Sequence, residues 1–413
     1  MNRIMLTAIP AALAMTFACT AAFAADEVGF HGYVRAGAGS SSIKGPQSCY
    51  GLGGNTMKYR LGNECDAYAE FGYTQELAKT DGVTFLGTVW ADVYNPKSDF
   101  GGARLGIAKA YVEARGLDFL NGGSAWAGKR YYYRPDIHML DLQYINMNGT
   151  GAGIDRVNMG PGKFSYAFFK DNDITATSRT GVVTTEAATR QNLIYGDVPL
   201  NTDGTIDVAV SLIKAQGGNN THNGYQITAL HKQAKVMGGG NTFGVQHGVG
   251  PGTGVGVCCD RIGASGSTLL GSDVTRTRVF NDLAIQPSTN FGMEFVALMQ
   301  RDKSDANGSS TWTSVGVRPV YAVHKHVKLA LELGTDRVKV PGGPALRLTK
   351  ITFAPSISSG PGLWDRPELR AFVTYGKWND AATASVNASN NSGPVYGNRT
   401  SGTSFGAQLE TWF

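Results

Sequence analysis

The chain has 413 residues and a formal charge of +5, with 17% charged, 42% hydrophobic and 10% aromatic residues. Glycine contributes 55 of 413 positions, near twice its usual share, while charge falls well under the roughly 25% of ordinary soluble proteins. Too much is hydrophobic for disorder, no G-x-y period allows collagen, and the lack of any Lys/Arg run excludes a nucleic-acid partner.

Arg3 is the sole charge within residues 1–24, Ile4 to Phe23 is mostly apolar, and Ala22-Phe23-Ala24 is a small-x-small cleavage site. This pattern predicts a secretory signal peptide over 1–24 and one mature domain over 25–413. A lipoprotein reading through Cys19 is weaker, because Thr16-Phe17-Ala18 matches the lipidation box poorly. Past residue 24 no stretch of about 18 apolar residues remains to form a membrane-crossing helix. The destinations left are the periplasm, the medium, or the outer membrane as a β-barrel.

The first mature segment alternates with a period of two: Val28, Phe30, Val34 and Ala36 on one face, His31, Tyr33 and Arg35 on the other. Cys49 and Cys65 then flank a glycine-rich turn, and an oxidising compartment predicts a disulfide between them. Ala67, Ala69, Phe71 and Tyr73 alternate with Tyr68, Glu70, Thr74 and Glu76. Gly149-Thr150-Gly151-Ala152-Gly153 reads as a tight turn. Further apolar faces follow at Ile206/Val208/Val210/Leu212, Phe291/Met293/Phe295/Ala297/Met299, Val327/Leu329/Leu331/Leu333 and Leu369/Ala371/Val373/Tyr375. Cys258 and Cys259 either bridge each other or stay reduced. The last segment sets Phe405, Ala407, Leu409, Thr411 and Phe413 against Gly406, Gln408, Glu410 and Trp412.

An exported β-sandwich would share this alternation. Three features favour a membrane barrel. Strands recur along the whole chain. Long connections (residues 214–224, 236–275 and 379–403) alternate with short turns. The chain also ends on Phe413, inside its last strand. A barrel leaves no unpaired edge in lipid, and its apolar faces point outward, so Tyr33, Arg35, Tyr68, Glu70 and Trp412 line the lumen. Aromatic rings stack on the apolar faces of pyranose sugars, and charged neighbours bond their hydroxyls, so this mixture predicts a sugar path. No H-E-x-x-H and no phosphate-cradling glycine loop occurs, and His31, His138, His231, His324 and His326 follow no metal-ligand spacing. Neither catalysis nor a cofactor is predicted.

Three blocks carry a family likeness. They are Val28-Gly29-Phe30-His31-Gly32-Tyr33-Val34-Arg35, Lys58-Tyr59-Arg60-Leu61-Gly62-Asn63-Glu64-Cys65 with Tyr68-Ala69-Glu70, and Trp126-Ala127-Gly128-Lys129-Arg130-Tyr131-Tyr132 with Arg134, Asp136, His138, Met139 and Asp141. Shorter matches follow at Gly316-Val317-Arg318-Pro319, Trp364-Asp365-Arg366-Pro367, Tyr375-Gly376-Lys377-Trp378 and Phe405-Gly406-Ala407-Gln408. In these blocks the chain resembles the maltoporin family of trimeric, sugar-specific outer-membrane porins, loosely so over about 170–290.

The resemblance implies an all-β, 18-stranded antiparallel barrel, a homotrimer, and a third loop, about Lys129 to Tyr144, folded into the lumen as a constriction. It implies an aromatic slide at Tyr33, Tyr68, Trp364 and Trp412, with Phe100 supplied to a neighbouring subunit and Ile227 standing where the family has a slide Phe. Polar tracks fall on Arg35, Arg60, Glu70, Arg134, Asp136 and Asp141, with Lys109 substituting for a family Arg. Gln143 replaces a constriction Tyr, which loosens the expectation of strict maltodextrin preference. The expected function is facilitated diffusion of oligosaccharides with passive ion passage. The alternatives are a porin for another disaccharide such as sucrose, a weakly selective general porin, and a soluble exported sugar-binding protein.

Overall fold

Period-two alternation dominates the chain, and in a computed structural model it builds eighteen strands. Described are residues 27–53, 58–177, 183–218, 220–256, 261–388 and 394–413. The predicted signal segment and Cys258–Cys259 lie outside them. The first strands are β1 (Gly29–Ser41), β2 (Ala67–Thr80), β3 (Val83–Asn95), β4 (Arg104–Arg115), β5 (Ser124–Arg130) and β6 (Gly149–Met159). Next come β7 (Gly162–Thr177), β8 (Val183–Asn201), β9 (Gly204–Gln216), β10 (Gly224–Val236), β11 (Gly239–Val249) and β12 (Thr275–Ser288). The circle finishes with β13 (Phe291–Ser304), β14 (Gly308–His324), β15 (Val327–Lys339), β16 (Ala345–Ser358), β17 (Glu368–Trp378) and β18 (Ser401–Trp412).

Every strand runs antiparallel to its sequence neighbours, and β18 pairs with β1, with Tyr33 opposite Trp412 and Ala36 opposite Leu409. The sheet is a closed 18-stranded antiparallel barrel. Closure satisfies every strand edge, which permits burial in lipid. β17 shows the division of faces clearly: Glu368, Arg370, Phe372 and Thr374 are buried inside, and Leu369, Ala371, Val373 and Tyr375 are exposed outside. Phe413 completes the seam. Its N–H donates to the Gly32 carbonyl at 3.1 Å, the Gly32 N–H donates back at 2.9 Å, and its ring lies 5.4 Å from that of Phe30.

Two sequence expectations need correction. β11 lies within residues 236–275, which read as one long connection; its inward Gly240, Gly244 and Gly248 and outward Asn241 and His247 hide the apolar alternation. Gly149 to Gly153 opens β6 and is not a tight turn. These glycines are inward: a Cβ on Gly149 would stand 2.7 Å from the Phe169 ring, and one on Gly151 1.9 Å from the Phe168 carbonyl.

Three connections between strands turn inward rather than away. Residues 131–148 do so, as expected for the third loop, but so do the described parts of two others, 42–53 with 58–66 and 250–256 with 261–274. They interlock through their backbones: the Arg60 N–H donates to Met139 O at 3.0 Å, Lys58 N–H to Leu140 O at 3.2 Å, and Asn146 N–H to Ile262 O at 2.8 Å. The wall pins them as well. Met139 N–H donates to Glu294 at 2.9 Å, Gln246 to Tyr144 O at 2.8 Å, and Arg190 to both Asn148 O at 2.6 Å and Gly263 O at 3.0 Å. Tyr59 packs over the paired Gly316 and Gly334, where a Cβ would come within 2.1 Å of its ring. The disulfide Cys49–Cys65 closes the first inward segment.

The outcome is a barrel narrowed from within. Tyr132, Tyr133, Ile137, Met139, Leu140, Leu142 and Ile145, all from the third loop, are almost fully buried against the inner wall.

Candidate functional site: the lumen constriction

Register alone places the first aromatic pair. Tyr33 on β1 stands opposite both Trp412 and Glu70, and Arg35 stands opposite Tyr68. The Tyr33 and Tyr68 rings are 6.1 Å apart. Trp364 comes from the turn between β16 and β17, at the same end of the barrel as Trp412. The His138 ring, carried inward on the third loop, stands edge-on to both, 5.1 Å from Trp364 and 6.1 Å from Trp412. Arg366 covers Trp412 at 4.5 Å. Register thus orders the four rings from the short-turn end: Trp364, then Trp412 level with Tyr33, then Tyr68 level with Arg35.

Tyr94 extends it. On β3 it pairs with Tyr68 at 6.5 Å between rings, and the inward period of Trp90, Asp92 and Tyr94 was the signal for it.

Beside the rings runs a charged network. Glu410 is fully buried and accepts from Arg60 at 2.8 Å, Arg366 at 2.9 Å, Arg370 at 2.6 Å and the Tyr33 hydroxyl at 3.1 Å. Arg60 also binds Glu64 at 2.6 Å. Arg35 contacts Glu64 at 2.8 Å, Asp66 at 2.6 Å and Asp141 at 3.1 Å. Charge-assisted bonds of this kind are short and stiff, so the guanidiniums keep fixed positions along the rings. Burial pushes the Asp141 carboxyl up, but Arg35 and Arg60 hold it below the usual carboxylate range. His138 accepts from Arg318 through Nδ1 at 3.2 Å and donates from Nε2 to Glu410 at 3.3 Å. Arginine can only donate, which fixes that tautomer.

On the opposite side, Glu70 accepts from the Tyr131 hydroxyl at 3.0 Å and lies 4.0 Å from Arg134, whose guanidinium covers the Tyr131 ring at 3.9 Å. Lys109 sits 3.8 Å over Trp90 and 5.5 Å from Tyr131. Asp136 is exposed to the lumen. Gln143 accepts from Asn146 at 3.2 Å. Tyr132 and Tyr133 face the wall, the latter donating to Asp207 at 3.2 Å.

Ile227 is a correction. It is 46% exposed on the outer face with Tyr225 and Ala229, while Gln226 and Thr228 point inward. Alternation forbids its joining the rings, because a one-residue shift reverses the face. Phe100 stands on the connection between β3 and β4, 36% exposed, and among the described residues it makes no ring contact with the series. The sequence also left unassigned Glu64, Asp66, Tyr131, Arg318, Arg366 and Arg370. Strand parity marks Arg318, Arg370 and Glu410 as inward; the loop residues follow no period. Gly402-Thr403-Ser404-Phe405-Gly406 spells a hydrolase elbow, but it runs straight along β18, with Ser404 Oγ donating to Ser48 O at 3.1 Å.

A closed barrel, apolar outside and narrowed within by its own loops around rings and charges, defines an outer-membrane porin. The profile of the LamB porin family matches residues 28–413, so the chain belongs to that family. Its solved structural neighbours include OccAB1 of Acinetobacter baumannii (TM-score 0.49, 10% identity, covering 93% of this chain and 96% of the other). OccK3 (OpdO) of Pseudomonas aeruginosa is similar (TM-score 0.48, 10% identity, 93% and 95%). So is an anion-selective porin of Comamonas acidovorans (TM-score 0.46, 10% identity, 93% and 98%).

Proposed function

We propose that the chain is exported with cleavage after Ala24, forms a homotrimer in the outer membrane, and lets maltose- and maltodextrin-type oligosaccharides diffuse through its lumen along with ions. The observation that carries this reading is the ring series Trp364, Trp412, Tyr33 and Tyr68 with Arg60 and Glu410 fixed alongside it. A sugar sliding along the rings exchanges one stacking face for the next while its hydroxyls stay bonded, so no step requires full desolvation. The short-turn end, with both termini, faces the periplasm. Phe100 acts on the neighbouring subunit's series, and no bond is made or broken.

Gln143 favours a second reading, a porin that also takes bent disaccharides such as sucrose. Gln is smaller than the family's Tyr and carries both donor and acceptor groups. Liposome swelling separates the readings. Maltotriose entering much faster than a non-sugar solute of equal size supports the maltodextrin channel, and equal rates for maltose and sucrose support the broader one. Rates that follow size alone would leave only a general porin, and recovery of the protein in the soluble periplasm would overturn both.

A further inference from the structure

Arg261 lies on the inward segment 250–274, in a stretch that no strand period marks. Its backbone is held firmly. The next carbonyl, that of Ile262, accepts from Asn146 N–H at 2.8 Å, and Gly263 O accepts from Arg190 at 3.0 Å. Asn146 in turn donates to Gln143 at 3.2 Å, so Arg261 is anchored to the constriction beside the position where a family Tyr is missing.

Its side chain differs from the other lumen guanidiniums. Arg35 meets three carboxylates and Arg60 two, whereas Arg261 Nε is buried without a hydrogen-bond partner, and no ion pair joins Arg261 to a described residue. The charged groups around it are Arg134, Asp136 and Asp141, with Tyr68 and Tyr131. Asp141 is committed to Arg35, and Arg134 has its nearest carboxylate, Glu70, at 4.0 Å. Burial and the like charge of Arg134 both lower the pKa of Arg261, as expected for a cation short of counter-charge. Two guanidiniums therefore lie near each other at the third loop, and of the two aspartates beside them Asp136 makes no ion pair among the described residues. A partly buried charge without a partner is costly, and a guanidinium fork matches the oxygens of a carboxylate or phosphate.

We infer that Arg261, with Arg134, forms an oxyanion-accepting subsite at the constriction, which takes the carboxylate or phosphate of an acidic sugar. The subsite rests on the sugar-channel reading for the sugar ring, but not for the anion.

Planar-bilayer recording at low salt tests it with glucose, glucuronate and glucose 6-phosphate as blockers. Wild-type channels should bind both acidic sugars about threefold more tightly than glucose, the effect of a partly exposed charge pair. Preference for one of the two identifies the oxyanion. Arg261→Gln should abolish the preference and leave the glucose constant unchanged, and Arg261→Lys should keep part of it. The zero-current potential in a KCl gradient gives an independent reading: Arg261→Gln should lower the chloride-to-potassium permeability ratio. If no sugar blocks the wild type but that ratio still falls, the anion site stands and the sugar channel fails. If glucose blocks as tightly as the acidic sugars, or Arg261→Gln changes neither preference nor ratio, the inference is overturned.

Discussion

Trp412 is half-exposed to the lumen, has Arg366 over its ring at 4.5 Å and His138 at its edge, and pairs in register with Tyr33. Such support orients the ring without consuming both of its faces, which leaves surface for a pyranose. Stacking contributes about 1 kcal/mol by analogy with aromatic pairs. Trp412→Ala should therefore raise the blocking constant for maltotriose several-fold while leaving assembly in the outer membrane unchanged. His138 has a different task. Burial first, and then the Arg60 charge, lower its pKa to about 3, so it stays neutral and joins Arg318 to Glu410. Because the folded pKa lies below the unfolded value of about 6.5, the contribution to stability is complete above that pH. It is lost as pH falls from 6.5 toward 3. Melting curves of wild type and His138→Asn should differ less and less across that window, whereas a constant difference would contradict a neutral His138.

The third loop sets the width of the passage through backbone bonds to two other inward segments, and side chains decide what the narrowed opening admits. Gln143 is half-buried there, tied to Asn146. Gln143→Tyr should reduce ion conductance and tighten maltotriose binding relative to sucrose. Single-channel traces with both sugars check this, and no change in either would place the constriction elsewhere. Tyr131 already contributes one ring, held by Glu70 and Arg134, whereas Tyr132 and Tyr133 are occupied by the wall. The first inward segment depends on Cys49–Cys65. In the chain-entropy account a loop of this size contributes roughly 3 kcal/mol. Both cysteines should resist alkylation in unreduced, denatured protein, and Cys49→Ala with Cys65→Ala should lower the melting temperature. The inward course of the described parts of 42–66 and 250–274 was not legible in sequence, because a segment bonded through its backbone shows no hydrophobic period. The third loop was legible only through its likeness to a family.

Across the barrel, lipid and lumen sort the side chains, and that sorting was written plainly where strands carry large apolar residues, as in β17 and β18. It was obscured in β11 and β6, where glycines such as Gly244 and Gly149 stand against the rings of Phe280 and Phe169. The same obscurity led Ile227 astray, since a loose match could not tell which of Gln226, Ile227 and Thr228 points inward. Outer polar groups near it pair sideways: Asn241 and Asn281 exchange bonds of 3.0 and 2.8 Å, and His247 meets Thr277 at 2.9 Å, as lipid requires of buried polar groups. The proposed function requires that sugars bind inside this lumen on their way through it. The decisive measurement is ion current through a single reconstituted channel, recorded while maltotriose is titrated on one side. Binding at the ring series predicts a saturable fall in current, relieved by Trp412→Ala. A current that declines only in proportion to solution viscosity, with no saturation and no effect of Trp412→Ala, would contradict it.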